Sequence, residues 1–261
     1  MIDRHNHSRF SFDSDACPED EIVKAIKKGV KIYGFAEHVY LFDNTDLQCE
    51  IDRLREYVEY VERLKPLFHD VKILHGVEYN FDAPHEKQYR ILSDSVRFDY
   101  VINSVHCVGD LNLYGDYFSR VSLEKGYELY FDTVMNSLDA GYDYQIVGHF
   151  GNILKIGRQF SPEVYFEKYK SRIAEILTEI IKRDKTLEVN TSGGGIALSI
   201  PNREVLELYY RLGGRKISFG ADAHNVESVS KNIDAAIAVV KKIGFGYATY
   251  YENKQEKRYL L

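Results

Sequence analysis

Short apolar runs alternate with longer amphipathic stretches along almost all of this sequence, and few folds accommodate that rhythm. The runs KIYGFA (31–36), VKILHGVEY (71–79), FDYVINSV (98–105), YDYQIVGH (142–149), TLEVN (186–190) and KISFGAD (216–222) are brief and bounded by Gly, Asp or Asn, which predicts strands. Residues 1–7 make the first of the set, and GYATY (246–250) a further strand at the end. Between them, stretches 18–28, 46–69, 84–94, 122–140, 161–184, 202–212 and 226–243 carry apolar positions at helical spacing. Ser161-Pro162-Glu163 supplies an N-cap, a proline at the first helical position and an acidic first turn for the run that follows. Strand–helix alternation builds a parallel sheet, and seven such units in 261 residues predict an α/β fold closed into a barrel of the triose-phosphate-isomerase type. No linker or internal repeat interrupts the series, so residues 1–261 are read as a single domain.

Composition narrows the function. Met1 is followed directly by charge and no run of eighteen apolar residues occurs, which argues against secretion and membrane spanning and for the cytoplasm. Cys17, Cys49 and Cys107 lie far apart without C-x-x-C pairing, so neither a disulfide framework nor a zinc ribbon is expected. A net charge of −6 with scattered lysines offers no footprint for a nucleic-acid backbone. The 21 tyrosines against no tryptophan have no functional explanation beyond packing.

The chemistry lies in the segment DRHNHSRFSFDSD (3–15) and its counterparts. His5 and His7 end the first strand, where a period of two aims both rings to one side. His38 ends the second strand, Glu78 the third, His106 the fourth and His149 the fifth; Asp222 and His224 close the seventh. Six of the nine histidines therefore fall at the carboxyl ends of strands, the face on which barrel enzymes assemble their sites. Each alone is an ordinary polar residue, and D-x-H has little specificity. The repetition is what matters. Imidazoles and carboxylates suit borderline divalent ions, and this many donors exceed what one zinc needs, so more than one ion is expected. His69, His75 and His85 fall elsewhere and are read as structural.

With HNH (5–7), EH (37–38), GVE (76–78), SVH (104–106), GH (148–149) and DAH (222–224) in this order, the whole chain resembles the PHP (polymerase and histidinol phosphatase) superfamily of metal-dependent phosphoesterases. Its length and the segment FSFDSD resemble the histidinol-phosphatase branch. The resemblance implies a distorted (β/α)7 barrel with a trinuclear centre. It places His5, His7, Glu78 and Asp222 on one ion, Glu78, His106 and His149 on a second, and Asp13, His38 and His224 on the third, with Glu78 bridging. Some members have histidine where Asp13 stands here, and a harder anionic ligand shifts preference from zinc towards iron or manganese. Two positions depart from the branch: Gly151-Asn152 after GHF, where Asp is usual, and Gly194-Gly195-Ile196 after VNTSG, where a basic residue is common.

The reaction implied is hydrolysis of a phosphomonoester, L-histidinol phosphate first, by a metal-bound hydroxide attacking phosphorus in line. Asp222, His224 and Arg158 are the expected catalytic groups. Arg158 also clamps phosphate, with Lys155 as a second candidate, because both lie on the loop after strand five. Asp15, Glu37 and Tyr79 are possible leaving-group contacts. An amidohydrolase would share H-x-H but use a lysine at strand four, where this chain has NSVH. Other phosphoesters, namely a nucleotide, a sugar phosphate or phosphotyrosine, and a non-catalytic metal-binding barrel are the remaining alternatives.

Overall fold

A computed structural model of the chain describes residues 1–157, 162–193 and 200–261. Strand β1 (Ile2–Asp3) leads to α1 (Pro18–Lys27), β2 (Ile32–Val39), α2 (Leu47–Leu64), β3 (Lys72–Asn80), α3 (Glu86–Ser95) and β4 (Tyr100–Ser104). A small hairpin, β5 (Cys107–Val108) with β6 (Leu111–Asn112), and α4 (Tyr117–Arg120) precede α5 (Leu123–Ser137). Then follow β7 (Ile146–Val147), α6 (Asn152–Gly157), α7 (Pro162–Lys182), β8 (Thr186–Asn190), α8 (Arg203–Arg211), β9 (Ile217–Gly220), α9 (Ile233–Ile243), β10 (Tyr247–Glu252) and β11 (Gln255–Leu260).

Seven strands form one parallel sheet in the order β1-β2-β3-β4-β7-β8-β9. The sheet closes because β9 and its continuation pair with the residues after β1. Arg4 N donates to the Phe219 carbonyl (3.0 Å), Asp222 N to that of His5 (2.7 Å) and His7 N to that of Ala223 (2.8 Å). The fold is a distorted (β/α)7 barrel, its irregularity residing in β1 and β7, each only two residues long.

Local chemistry explains the elements. Asp46 caps α2 by accepting from Gln48 N (3.0 Å) and Cys49 N (3.2 Å). Pro18 opens α1 ahead of Glu19, Asp20 and Glu21. The barrel centre is filled by Tyr100, whose hydroxyl lies 2.6 Å from the Arg4 carbonyl and 2.8 Å from that of Phe35. That ring crosses the barrel only because Gly76 faces it, since a Cβ there would lie 2.3 Å from Tyr100 Cε2. Tyrosine recurs throughout the interior: among the largest fully buried side chains of the described residues, all but Arg4 are tyrosines. Tyr57, Tyr117, Tyr144 and Tyr209 donate to the carbonyls of Gly76, Gly126, Leu138 and Lys216. Large rings thus fill the core while their hydroxyls satisfy main-chain acceptors.

The terminal strand expected at 246–250 exists as β10, but it pairs antiparallel with β11 outside the barrel. This hairpin covers the amino-terminal end: Asn253 N and Lys254 N donate to Oδ1 and the carbonyl of Asp99, and Arg4 Nη2 donates to the Thr249 carbonyl. With that end closed, the opposite end carries the site. No helix among the described residues is long and apolar enough to cross a membrane.

Candidate metal centre

The eight acids and histidines singled out by their strand-end positions, and Asp13 from the segment after the first strand, meet at the carboxyl end of the barrel. Glu78 is at the centre and fully buried. Its Oε2 lies 3.2 Å from His5 Nε2, 3.6 Å from His7 Nε2 and 2.8 Å from His38 Nδ1. Its Oε1 lies 2.8 Å from His149 Nε2 and 3.3 Å from His106 Nε2, while accepting from Ser104 Oγ at 2.6 Å. One carboxylate therefore faces two groups of imidazoles.

Three sets of donors emerge. In the first, Asp222 Oδ1 is 3.2 Å from His7 Nε2 and 3.9 Å from His5 Nε2, both beside Glu78 Oε2. In the second, His106 and His149 Nε2 are 3.0 Å apart beside Glu78 Oε1. In the third, Asp13 Oδ2, His38 Nε2 and His224 Nε2 form a triangle with sides of 3.4, 3.3 and 3.4 Å. Ligands bound at about 2.0–2.1 Å around a tetrahedral ion stand about 3.3 Å from one another, so these spacings fit shared divalent ions. Buried atoms without a hydrogen-bond partner point the same way: His5 Nε2, His7 Nε2, His38 Nδ1 and Glu78 Oε2 all face the centre.

The carboxylates of the centre are held ionised. Burial pushes the Glu78 and Asp222 carboxyls up, but the surrounding imidazoles, His5 above all, hold both well below the usual carboxylate range. Burial likewise opposes ionisation of Asp13, and hydrogen bonds from His224 and His38 reverse it. His7 is driven well down by burial and by neighbouring His38, leaving a neutral imidazole. The backbone contributes strain at one donor, because Asp222 adopts φ +53°, left-handed for a residue with a Cβ.

The profile of the PHP domain family matches residues 3–192. The chain belongs to the PHP domain family. A histidinol-phosphatase from Lactococcus lactis subsp. lactis (strain IL1403) is 28% identical over 253 residues, covering 94% of this chain and 91% of that protein. A probable histidinol-phosphatase from Thermotoga maritima is 29% identical over 249 residues, covering 95% and 94%. The crystal structure of the Lactococcus lactis histidinol phosphate phosphatase, complexed with zinc, L-histidinol and phosphate, superposes with a TM-score of 0.81 at 25% identity over 98% of each chain. This PHP chain lies in the histidinol-phosphatase-like branch and is a phosphomonoester hydrolase; the amidohydrolase alternative falls away.

The remaining sequence candidates are distributed as follows. A cavity of about 320 Å³ above the donors is lined by Phe12, Tyr40, Asn112, Tyr114 and Lys155. Lys155 stands on α6 rather than on an irregular loop, with Nζ 3.2 Å from Ser192 Oγ. Arg158 and Gly194-Gly195-Ile196 lie outside the described residues. Asn152, one of the two unusual positions after GHF, donates to the Tyr114 hydroxyl at 2.6 Å. Glu37 and Tyr79 do not line the cavity: Glu37 accepts from Ser8 Oγ and Ser11 Oγ (both 2.6 Å), and Tyr79 OH meets Ser93 behind the sheet. Asp15 is exposed and also outside the lining. His75 and His85 are structural, bonded to Glu62 and Asp82.

Sequence reasoning missed Glu188. From β8 it places Oε1 2.6 Å from His5 Nδ1 and accepts from His149 N through Oε2 at 2.7 Å. With a metal ion bound, this contact would keep the proton on His5 Nδ1 and leave Nε2 to ligate it. The available signal was a buried-strand pattern, TLEVN, that places an acid on the same side as Thr186 and Asn190.

Proposed function

We propose that this chain hydrolyses L-histidinol phosphate to L-histidinol and phosphate at a centre of three divalent ions, zinc, manganese or iron. The reading rests on the three donor sets joined by Glu78, whose edges of 2.8–3.9 Å suit shared cations. His5, His7, Glu78 and Asp222 would hold the first, Glu78, His106 and His149 the second, and Asp13, His38 and His224 the third. Such ions supply an activated water and neutralise charge on the phosphoryl oxygens. Around them the protein's own groups orient the ester. Asp222 and His224 fix the floor of the cavity, and Lys155 and Arg158 are the cationic groups assigned to the phosphate. Phe12, Tyr40 and Tyr114 offer aromatic faces to an imidazole-bearing leaving group. The Lactococcus lactis relative that carries zinc, L-histidinol and phosphate supports the substrate.

The test is steady-state kinetics on L-histidinol phosphate beside a nucleotide, a sugar phosphate and phosphotyrosine. L-histidinol phosphate is expected to have the highest kcat/KM, and His149→Ala to lose at least about a hundredfold of turnover while keeping its far-ultraviolet circular dichroism. Undiminished turnover by metal-replete His149→Ala would refute the site.

A further inference from the structure

The cavity above the donors does not end at Lys155. A second lobe of about 230 Å³ shares Lys155, Asp222 and His224 with it and is walled on its far side by Ser192, Asn225, Ser228 and Lys231. The function proposed above makes no use of this space, and its lining is mostly polar, with Ala221 the one apolar side chain. Lysine ammonium, serine hydroxyl and asparagine amide groups offer donors, and the one carboxylate present, Asp222, has its Oδ2 occupied by Ser192 Oγ (3.1 Å) and Asn190 Nδ2 (3.3 Å). Neither Lys155 nor Lys231 forms an ion pair among the described residues. Lys155 contacts Ser192 Oγ instead.

The wall that carries Lys231 is fixed. Thr191 Oγ1 donates to the Lys231 carbonyl at 2.6 Å, and the preceding Ser230 donates to Asp3 Oδ2 at 2.7 Å. Ser230 and Asn232, on either side, both have positive φ (+51° and +63°), a conformation that these anchors hold in place. A lysine on a pinned backbone, across a polar cavity from a second lysine, suits an anion.

We propose that this lobe is an oxyanion subsite, with Lys231 on one wall and Lys155 on the other, that takes a second anionic group of the substrate, so that the enzyme also hydrolyses phosphomonoesters bearing a carboxylate or another phosphate on the leaving group. The inference rests on the hydrolytic centre described above but not on histidinol phosphate as its substrate. An amino-alcohol leaving group has no anion to place there, whereas a second phosphate reaching past His224 meets two ammonium groups. The same donors would also accept free inorganic phosphate, and the experiment separates the two sources.

The probes are diol bisphosphates, from ethylene glycol to hexanediol, against the matching monophosphates, with the wild-type holoenzyme and Lys231→Met. In the wild type, at one chain length or more, the bisphosphate is expected to exceed its monophosphate in kcat/KM by about tenfold, beyond the twofold statistical advantage of two ends. In Lys231→Met that ratio falls to near the statistical value, while kcat/KM for the monophosphates stays unchanged. Inhibition by inorganic phosphate is measured on the same two proteins. If only that inhibition weakens in the variant, the occupant is the free ion and the substrate role is overturned. A ratio that is flat across the series, or the same in both proteins, also overturns it. Because neither probe is histidinol phosphate, failure of that substrate assignment leaves the comparison intact.

Discussion

At the scale of single residues, Glu188 shows how the candidate metal centre is held in place. It reaches one imidazole through its ring nitrogen and another histidine through its backbone, so its charge orients donors in two of the three sets. Removing that charge while keeping the shape isolates the effect. Glu188→Gln is expected to lower metal content after dialysis against limiting metal and to reduce kcat by about 10- to 100-fold, with the fold unchanged. Full metal occupancy and turnover in the variant would show that Glu188 is only a core acid. Eight of the candidate donors were legible because each occurs at a predicted strand end, a position that can be counted along the chain, whereas Asp13, in the segment between β1 and α1, was expected only from the family resemblance. Glu188 was not legible, because it lies in the middle of β8 rather than at its end: the polar–apolar alternation of TLEVN marks its side of the strand, but only the fold shows that this side meets His5 and the His149 backbone. Glu37 misled for a related reason: it neighbours a ligand in sequence, yet successive residues of a strand point to opposite faces.

At the scale of elements, α1 carries a buried acid that no site uses. Glu21 is fully buried, with Tyr33 OH donating to Oε1 at 3.3 Å and Oε2 without a partner. Burial, with nearby Glu37 and Asp3 adding repulsion, pushes its carboxyl from the ordinary 4.5 up to about 9. The folded protein therefore keeps a proton that the unfolded chain loses above about 4.5. It follows that this group costs no stability below that value, and an increasing amount as pH rises towards about 9. Glu21→Gln should be more thermostable than the wild type, with a difference in Tm that widens from pH 5 to pH 9; a constant or inverted difference would contradict it. Elements with their own local signals were readable: α2 has a capping aspartate, and α7 begins at Pro162 as its sequence indicated. Those without were not. β7 keeps only two ladder residues of the stretch 142–149, the helix expected over 226–243 is regular only from Ile233, and α6 is too short to show a period. The exposed, charged strand β11 lacks the alternation that would mark it.

At the scale of the whole molecule, the fold concentrates Asp13, Glu78, Glu188 and Asp222 with six imidazoles at one end of a barrel whose other end is sealed by β10 and β11. Ions bound to the folded state alone stabilise it by about 4 kcal/mol at a thousandfold excess over Kd. For a chain of this size that corresponds to a rise in Tm of about 10 °C. Stripping metal with a chelator is expected to lower Tm by that amount with secondary structure retained, and re-addition of zinc or manganese to restore it. A metal-free sample, verified by elemental analysis, that melts where the loaded one does would remove the centre from the stability of the fold.

The seam between β9 and the segment after β1 has a consequence for how the protein is made. Asp3, which binds Ala221 across 218 positions of chain, and the paired histidines after it leave the ribosome long before their counterparts at 222–224. A nascent polypeptide shorter than that has the early donors but nothing to complete their coordination. On the function proposed here, competence to capture metal would arrive in a single event, when the seventh strand docks, and chains truncated before it would be born without it.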